Sequence, residues 1–170
     1  CALSAVSAAV MSVKTRRASG TISNSYNKPS GSKIIMRIDI VFDTVCPWCF
    51  VGKRRFDRAL SMRSSLRAEV RYRSFLLNPD LPPQGVDRRE YLERKFGGVH
   101  QYDRIAEALI ITGRSEGINF NLNRIKRTPN SANSHRLVRM AHAQGRSGQA
   151  VDLLFRAYFE QGLDIGDLDI

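Results

Sequence analysis

The pattern of hydrophobic and polar positions in residues 34–78 predicts a strand, a helix and a second strand. Residues 34–45 are rich in β-branched and apolar side chains, which favours a buried strand. Residues 50–62 carry apolar side chains at the spacing of an amphipathic helix. Residues 70–75 alternate between apolar or aromatic side chains and arginines, which is typical of a strand with one wet face.

The remainder of the chain predicts helices. A short helix over residues 88–96 should end at Gly97-Gly98, because glycine is the favoured residue just beyond a helix. Apolar side chains recur at helical spacing in three further stretches: residues 102–110, 134–143 and 150–158. A short extended piece is expected at residues 118–122. A βαβ unit followed by helices predicts an α/β fold, thioredoxin-like, with a helical insertion.

The predicted sheet contains too few strands for a complete fold of this kind. We therefore expect a fragment that lacks its C-terminal strands. On this interpretation residues 34–170 form one incomplete domain, with the βαβ unit at 34–78 and the helical insertion at 86–170.

Residues 1–33 differ in composition from the rest. A small apolar run precedes Lys14, Arg16 and Arg17, and a stretch rich in Ser, Asn, Gly and Pro follows. We expect a disordered leader with no regular core element. Its composition is typical of a mitochondrial or plastid transit peptide. A secretory signal fits less well, and a third reading takes Met36 as the true start. The predicted location is cytoplasmic, or mitochondrial or plastid if the leader is a transit peptide.

The formal net charge of +11 first points to nucleic acid. Six of the 27 basic residues, however, lie in residues 1–38, which contain no acidic residue. In the rest of the chain basic and acidic residues are mixed along predicted helices, which favours a solvated surface. No nucleic-acid motif accompanies the charge. No stretch has the roughly 18 apolar residues of a membrane span, so we predict neither a nucleic-acid nor a membrane partner.

Two of the three cysteines form the pair Cys46-Pro47-Trp48-Cys49, between the first predicted strand and the helix. Such a pair, in a chain of low cysteine density, indicates a redox motif or half of a metal site. Pro47 is suited to the first position of a helix, which makes Cys46 the N-cap. A thiolate there would accept hydrogen bonds from the first backbone N–H groups and meet the positive end of the helix dipole.

These effects should lower the pKa of Cys46 and make it the attacking thiol. Cys49 has entered the helix, so we expect it to be the less exposed sulfur and the resolving partner. A zinc site would need two more ligands, and His135 and His142 lie seven residues apart instead of the common three to five. We therefore predict no metal. An inert pair of core cysteines fits poorly with Pro47 at a strand–helix junction.

Several separated blocks resemble the DsbA-like thioredoxin-fold family, specifically its FrnE-like branch. The resemblance covers residues 36–170 almost without a break. Its blocks are DTVCPWCFVGKRR (43–55), FLLNPD (75–80), YLERKFGG (91–98), RTPNS (127–131), SHRL (134–137) and LFRAYF (154–159). It implies a thioredoxin domain interrupted by a helical domain. It also implies thiol–disulfide exchange on protein or small-molecule substrates, with a redox-active Cys46–Cys49 disulfide and no bound cofactor.

Relatives in the same superfamily are kappa-class glutathione transferases and 2-hydroxychromene-2-carboxylate isomerases, which typically carry Ser in place of the first Cys. A glutathione-dependent isomerase or transferase is thus an alternative, with glutathione as a co-substrate. The family's cis-proline loop, which binds the substrate backbone, matches no residue of this chain. A redox-inactive binding or chaperone module is a third alternative, and the oligomeric state is not predicted.

Three of four further residues of interest have two interpretations each. Trp48 either tunes the dithiol or anchors the start of the helix. Lys53 is expected to be a solvated helix charge. The resemblance implies that Asn130 and His135 lie near the active site, where they could bind substrate or glutathione. The alternatives for these two are a helix cap and a packed histidine.

Overall fold

The computed structural model describes residues 13–17, 35–97 and 99–170. Residues 1–12, 18–34 and 98 lie outside the described part. Most of the leader that was predicted to be disordered, or to be a transit peptide, falls on those residues.

The N-terminal part of the described chain contains a three-stranded sheet. Strands β2 and β3 are parallel, helix α1 connects them, and β1 pairs antiparallel with the other edge of β2. The bounds are β1 Val13–Arg17, β2 Ile35–Phe42, α1 Pro47–Ser61 and β3 Arg67–Ser74. The predicted βαβ unit is therefore confirmed, with α1 beginning three residues earlier than its apolar spacing indicated.

Strand β1 corrects one expectation, because it lies inside the segment that was predicted to contain no regular element. It pairs with β2 from Val13 opposite Ile40 to Arg17 opposite Met36. Without β1, β2 would be an edge strand with unpaired backbone N–H and C=O groups along one side. The five residues of β1 pair with these groups. Backbone pairing requires no apolar pattern, so the pattern of side chains did not indicate this strand.

Strand β2 alternates between buried and outward-facing side chains. Ile38, Ile40 and Phe42 face the core, while the Asp39 carboxylate forms an ion pair of 3.3 Å with Arg73 on β3. The strand is thus buried on one face only, because its second face carries cross-strand ion pairs.

Four helices form the rest of the described chain, as predicted. They are α2 (Arg88–Phe96), α3 (Val99–Ser115), α4 (Ala132–Ala143) and α5 (Ser147–Phe159). Gly97 ends α2 with a φ of 73°, in the left-handed region that glycine adopts at no steric cost.

The extended piece expected at residues 118–122 is wrong. The chain is irregular there and then forms a 3₁₀ turn at Leu122–Arg124. A two-stranded ladder lies elsewhere, between β4 (Val86–Asp87) and β5 (Arg127–Thr128). Two-residue strands are too short to show a period of two, so the alternation of side chains could not reveal them.

Aromatic side chains join the βαβ unit to the helices. The fully buried ring of Phe50 on α1 stacks on Phe155 of α5, with ring centroids 5.0 Å apart. The Phe120 ring contacts the Phe50 ring edge-on, with ring centroids 6.0 Å apart. Phe42 on β2 also contacts Phe155, at 6.1 Å. The core therefore sits between the sheet, α1 and α5, and it fixes the helices against the start of α1.

Truncating Phe50 tests this packing. Phe50→Ala should lower the free energy of unfolding by about 3–5 kcal/mol, because it removes a buried ring and leaves a cavity. Urea denaturation under reducing conditions measures the change. Leu153→Ala, on the exposed side of α5, is the matched control and should change stability by no more than about 0.5 kcal/mol. Equal losses in the two variants would contradict the proposed core.

Candidate active site

The two cysteines lie at the junction between β2 and α1, with Cys46 just before the helix and Cys49 in its first turn. Cys46 is the N-cap of α1, with φ −96° and ψ 111°, and Pro47 occupies the first helical position. The Cys49 N–H donates to the Cys46 carbonyl oxygen at 3.1 Å, which closes the first turn. The predicted strand–helix junction and the N-cap position of Cys46 are confirmed.

The cysteines are 3.3 Å apart and both are free thiols. The Cys49 thiol donates a hydrogen bond to the Cys46 sulfur, and this bond is the main cause that lowers the pKa of Cys46 below its ordinary value. The same bond, together with burial, raises the pKa of Cys49 far above the ordinary range. The pair therefore favours a thiolate on Cys46 and a retained proton on Cys49, with the proton shared between the two sulfurs.

The helix contributes less directly than predicted. The Cys46 side chain makes no cap hydrogen bond of ordinary geometry, since the Cys49 N–H already serves the Cys46 carbonyl. The N–H groups of Cys49 and Trp48 still act to lower the pKa of Cys46, and desolvation acts against them. The expected direction is thus obtained, but the neighbouring thiol is its largest cause.

The expected difference in exposure is wrong. Cys46 is 2% exposed and Cys49 is 5% exposed, so the predicted attacking sulfur is not the more accessible one. Both cysteines belong to the apolar core cluster. Tertiary packing around the junction buries Cys46, which the geometry of an isolated helix start does not include. The predicted roles of the two thiols therefore rest on the opposite directions of their pKa shifts instead of on exposure.

A buried carboxylate lies directly before the dithiol. Asp43 is 1% exposed, and its Oδ2 accepts the Leu77 N–H at 2.7 Å. Its Oδ1 lies 3.3 Å from both the Val45 N–H and the Nε2 of His135. The negative charge of Asp43 acts to raise the pKa of both thiols. A carboxylate, two sulfurs and an imidazole thus surround the start of α1.

Comparison with known proteins agrees with this arrangement. The model of the DSBA-like thioredoxin domain family matches residues 37–170. This chain belongs to the DsbA-like thioredoxin-domain family.

Two relatives show the same likeness. The crystal structure of the probable DsbA oxidoreductase SCO1869 from Streptomyces coelicolor superposes with a TM-score of 0.65 at 29% identity, over 77% of this chain and 57% of that one. The uncharacterized protein YwbO of Bacillus subtilis (strain 168) is 26% identical over 135 residues, which are 79% of this chain and 62% of YwbO. The chain therefore spans about three fifths of the length of these relatives.

Lys53 in this DsbA-like domain is not a solvated charge, contrary to expectation. It is 6% exposed, and its Nζ lies 2.6 Å from a carboxylate oxygen of Asp57 and 3.8 Å from one of Asp152. Asp152 belongs to α5, which packs beside α1. A charge can be buried when acidic partners lie against it, and Asp152 could not be identified as one before α5 was placed.

The other predicted residues take these positions. Trp48 is half-buried and packs against the core cluster, so both of its interpretations stand. The Asn130 side chain donates to the Leu81 carbonyl at 2.7 Å and accepts the Ala132 N–H at 3.0 Å. His135 is 5% exposed and lies against Asp43. Asn130 and His135 thus have partners inside the protein, and their binding of substrate or glutathione stays a prediction.

Sequence reasoning missed Asp43 and Ser134. The Ser134 hydroxyl lies 2.7 Å from that of Thr44, and both are buried. The available signal for Asp43 was an acid placed between an apolar strand and the cysteine pair, but spacing alone did not pair it with a residue 92 positions away. Across residues 13–17, 35–97 and 99–170, no cluster of His, Cys, Asp and Glu could hold a metal, and no helix could cross a membrane.

Replacing Cys49 tests the shared proton. In a Cys1→Ser background, Cys49→Ala should move the Cys46 titration upward by at least about one pH unit. The reason is that a hydrogen bond to a charged group contributes about 1.5–3 kcal/mol. Ultraviolet absorbance of the thiolate measures the midpoint. Cys1→Ser alone should leave the low-pH midpoint in place, and an unmoved midpoint in Cys49→Ala would contradict the assignment.

Proposed function

We propose that the chain carries the redox centre of a thiol–disulfide oxidoreductase of the FrnE-like branch. The observation that carries the proposal is a pair of free thiols 3.3 Å apart at the first turn of α1, with Cys46 as the N-cap. The pKa directions agree with it, since the pKa of Cys46 is lowered and that of Cys49 is raised. Family membership and the DsbA-like structural neighbour support oxidoreductase activity at the level of the family. No cofactor is needed, because both sulfurs of the exchange belong to the chain.

The exchange proceeds in two displacements. The Cys46 thiolate attacks one sulfur of a substrate disulfide, a Cys46–substrate S–S bond forms, and the other substrate sulfur leaves as a thiolate that takes up a proton. Cys49 then loses its proton and attacks the Cys46 sulfur. This step releases the second substrate thiolate and closes the Cys46–Cys49 bond. The substrate gains two electrons and the dithiol loses two, and the reverse sequence oxidises a dithiol substrate.

The raised pKa of Cys49 gives these steps an order. While Cys46 carries the negative charge, Cys49 keeps its proton and cannot act as a nucleophile. Once Cys46 is bound in a mixed disulfide, the negative charge and its hydrogen bond are gone. The Cys49 thiol then becomes easier to deprotonate, at the moment when it must attack.

Access to Cys46 requires a local opening. At 2% exposure the sulfur cannot meet a protein disulfide in the described conformation. The covering structure includes α4, whose Ser134 and His135 bond to residues immediately before Cys46. Opening of this contact is part of the proposed cycle. Substrates, direction of electron flow and the activity of the whole protein belong to the proposal, because the chain spans about three fifths of its relatives.

The central test is redox titration of the full chain in glutathione buffers. After acid quenching and thiol alkylation, mass spectrometry should find a Cys46–Cys49 disulfide whose population follows the buffer potential. Cys46→Ser should reduce insulin-disulfide reduction to background, and Cys49→Ala should accumulate a Cys46 mixed disulfide with glutathione. Cys1→Ser is the matched control and should behave like the parent chain.

Two outcomes would overturn the proposal. Full activity in Cys46→Ser would remove Cys46 from its role. Glutathione binding that persists when Cys46 and Cys49 are both Ser, without any disulfide in the parent chain, would instead favour a glutathione-dependent isomerase or transferase.

A further inference from the structure

His135 connects the helical segment to the dithiol through one carboxylate. It lies on α4, and its Nε2 is 3.3 Å from Oδ1 of Asp43, three residues before Cys46. The two side chains are 5% and 1% exposed. The His135 ring also meets the Phe42 ring edge-on, with centroids 5.1 Å apart. A buried contact thus joins α4 to the turn that precedes Cys46.

The hydrogen bonds around Asp43 identify the form of this contact. Asp43 accepts the N–H groups of Val45 and Leu77, and an ionised carboxylate is an acceptor on both oxygens. His135 must therefore act as a donor, which places its proton on Nε2. Its Nδ1 is buried and has no hydrogen-bond partner among the described residues. The contact of Nε2 with Asp43 is thus the one hydrogen bond that the His135 ring makes among the described residues.

The charge of Asp43 has a specific effect on the neighbouring sulfurs. It disfavours a negative charge on Cys46 and on Cys49 alike, and it therefore raises both pKa values. In a dry environment a like charge at short range shifts such equilibria by about one unit or more. Asp43 limits how acidic Cys46 becomes and helps Cys49 to keep its proton.

We propose that His135 is a positioning residue for the dithiol: its Nε2–H holds the Asp43 carboxylate, ionised, against the start of α1, where that charge opposes the Cys46 thiolate. This inference rests on the proposed redox function of Cys46 and Cys49. It assigns His135 a role within the protein, through Asp43, in place of contact with substrate or glutathione. Loss of the donor lets the carboxylate move away, and the effect of its charge at the sulfurs weakens.

Three variants in a Cys1→Ser background test the proposal. Asp43→Asn should shift the Cys46 thiolate equilibrium at least about tenfold toward the thiolate, which is a midpoint about one pH unit lower. The reduction potential should become more positive by about 30 mV for each tenfold change. His135→Leu should shift both quantities in the same direction. Adding His135→Leu to Asp43→Asn should change neither further, because the effect passes through Asp43.

His135→Gln and His142→Leu are the matched variants. Gln retains an N–H donor, so His135→Gln should keep a midpoint closer to that of the parent than to that of His135→Leu. His142 lies on the same helix but is exposed, and His142→Leu should leave both quantities unchanged. A merely structural role for His135 predicts that Gln and Leu lower thermal stability without shifting either the midpoint or the potential.

A measurement on the parent chain covers the case in which His135→Leu does not fold. Nitrogen-15 NMR of His135 should show the proton on Nε2. The same signals should shift across the titration midpoint of Cys46 in the reduced chain and stay constant over that range in the oxidised chain. A proton on Nδ1, or signals that ignore the Cys46 midpoint, would overturn the proposal.

The outcomes separate this inference from the function on which it rests. If the parent chain shows no low-midpoint thiolate and no exchange with glutathione, the redox function fails. If the parent chain shows both, while Asp43→Asn and His135→Leu leave midpoint and potential unmoved, only the role of His135 is refuted.

Discussion

A hydrogen bond between two neighbouring sulfurs is the interaction on which the proposed function of this protein depends. Cys46 and Cys49 lie 3.3 Å apart at the first turn of α1, so a negative charge on one thiol disfavours a negative charge on the other. Pro47 begins the helix and the Cys49 N–H closes its first turn, so the backbone fixes the two thiols in this relation. The difference in their acidity follows from that spacing more than from the helix itself.

Burial makes this arrangement strong and also limits its use. Removing water strengthens the hydrogen bond between the sulfurs and the effect of the Asp43 charge. The same packing buries Cys46, so the proposed exchange requires a local opening that exposes it. Ser134 and His135 of α4 bond to residues just before Cys46, and this is the contact that we propose to open. Access and acidity are therefore linked through one contact.

The local features could be predicted from the sequence, and the long-range ones could not. Periodicity and the proline position located the βαβ unit and made Cys46 an N-cap, because these depend on neighbours within a few residues. The burial of Cys46 and Lys53 depends on tertiary packing, which brings distant residues such as Phe155 and Asp152 of α5 to α1. The pairing of Asp43 with His135 is of the same kind. Strand β1 was not predicted because its backbone pairing with β2 requires no particular pattern of side chains.

The pH dependence of the reduction potential tests the shared proton most directly. In a two-electron couple each proton taken up on reduction contributes about 30 mV per pH unit. Above the Cys46 midpoint we expect a slope of about 30 mV per pH unit that continues past the ordinary titration range of cysteine, because Cys49 keeps its proton. A slope of about 60 mV per pH unit up to that range, which signifies two ordinary thiols, would contradict it.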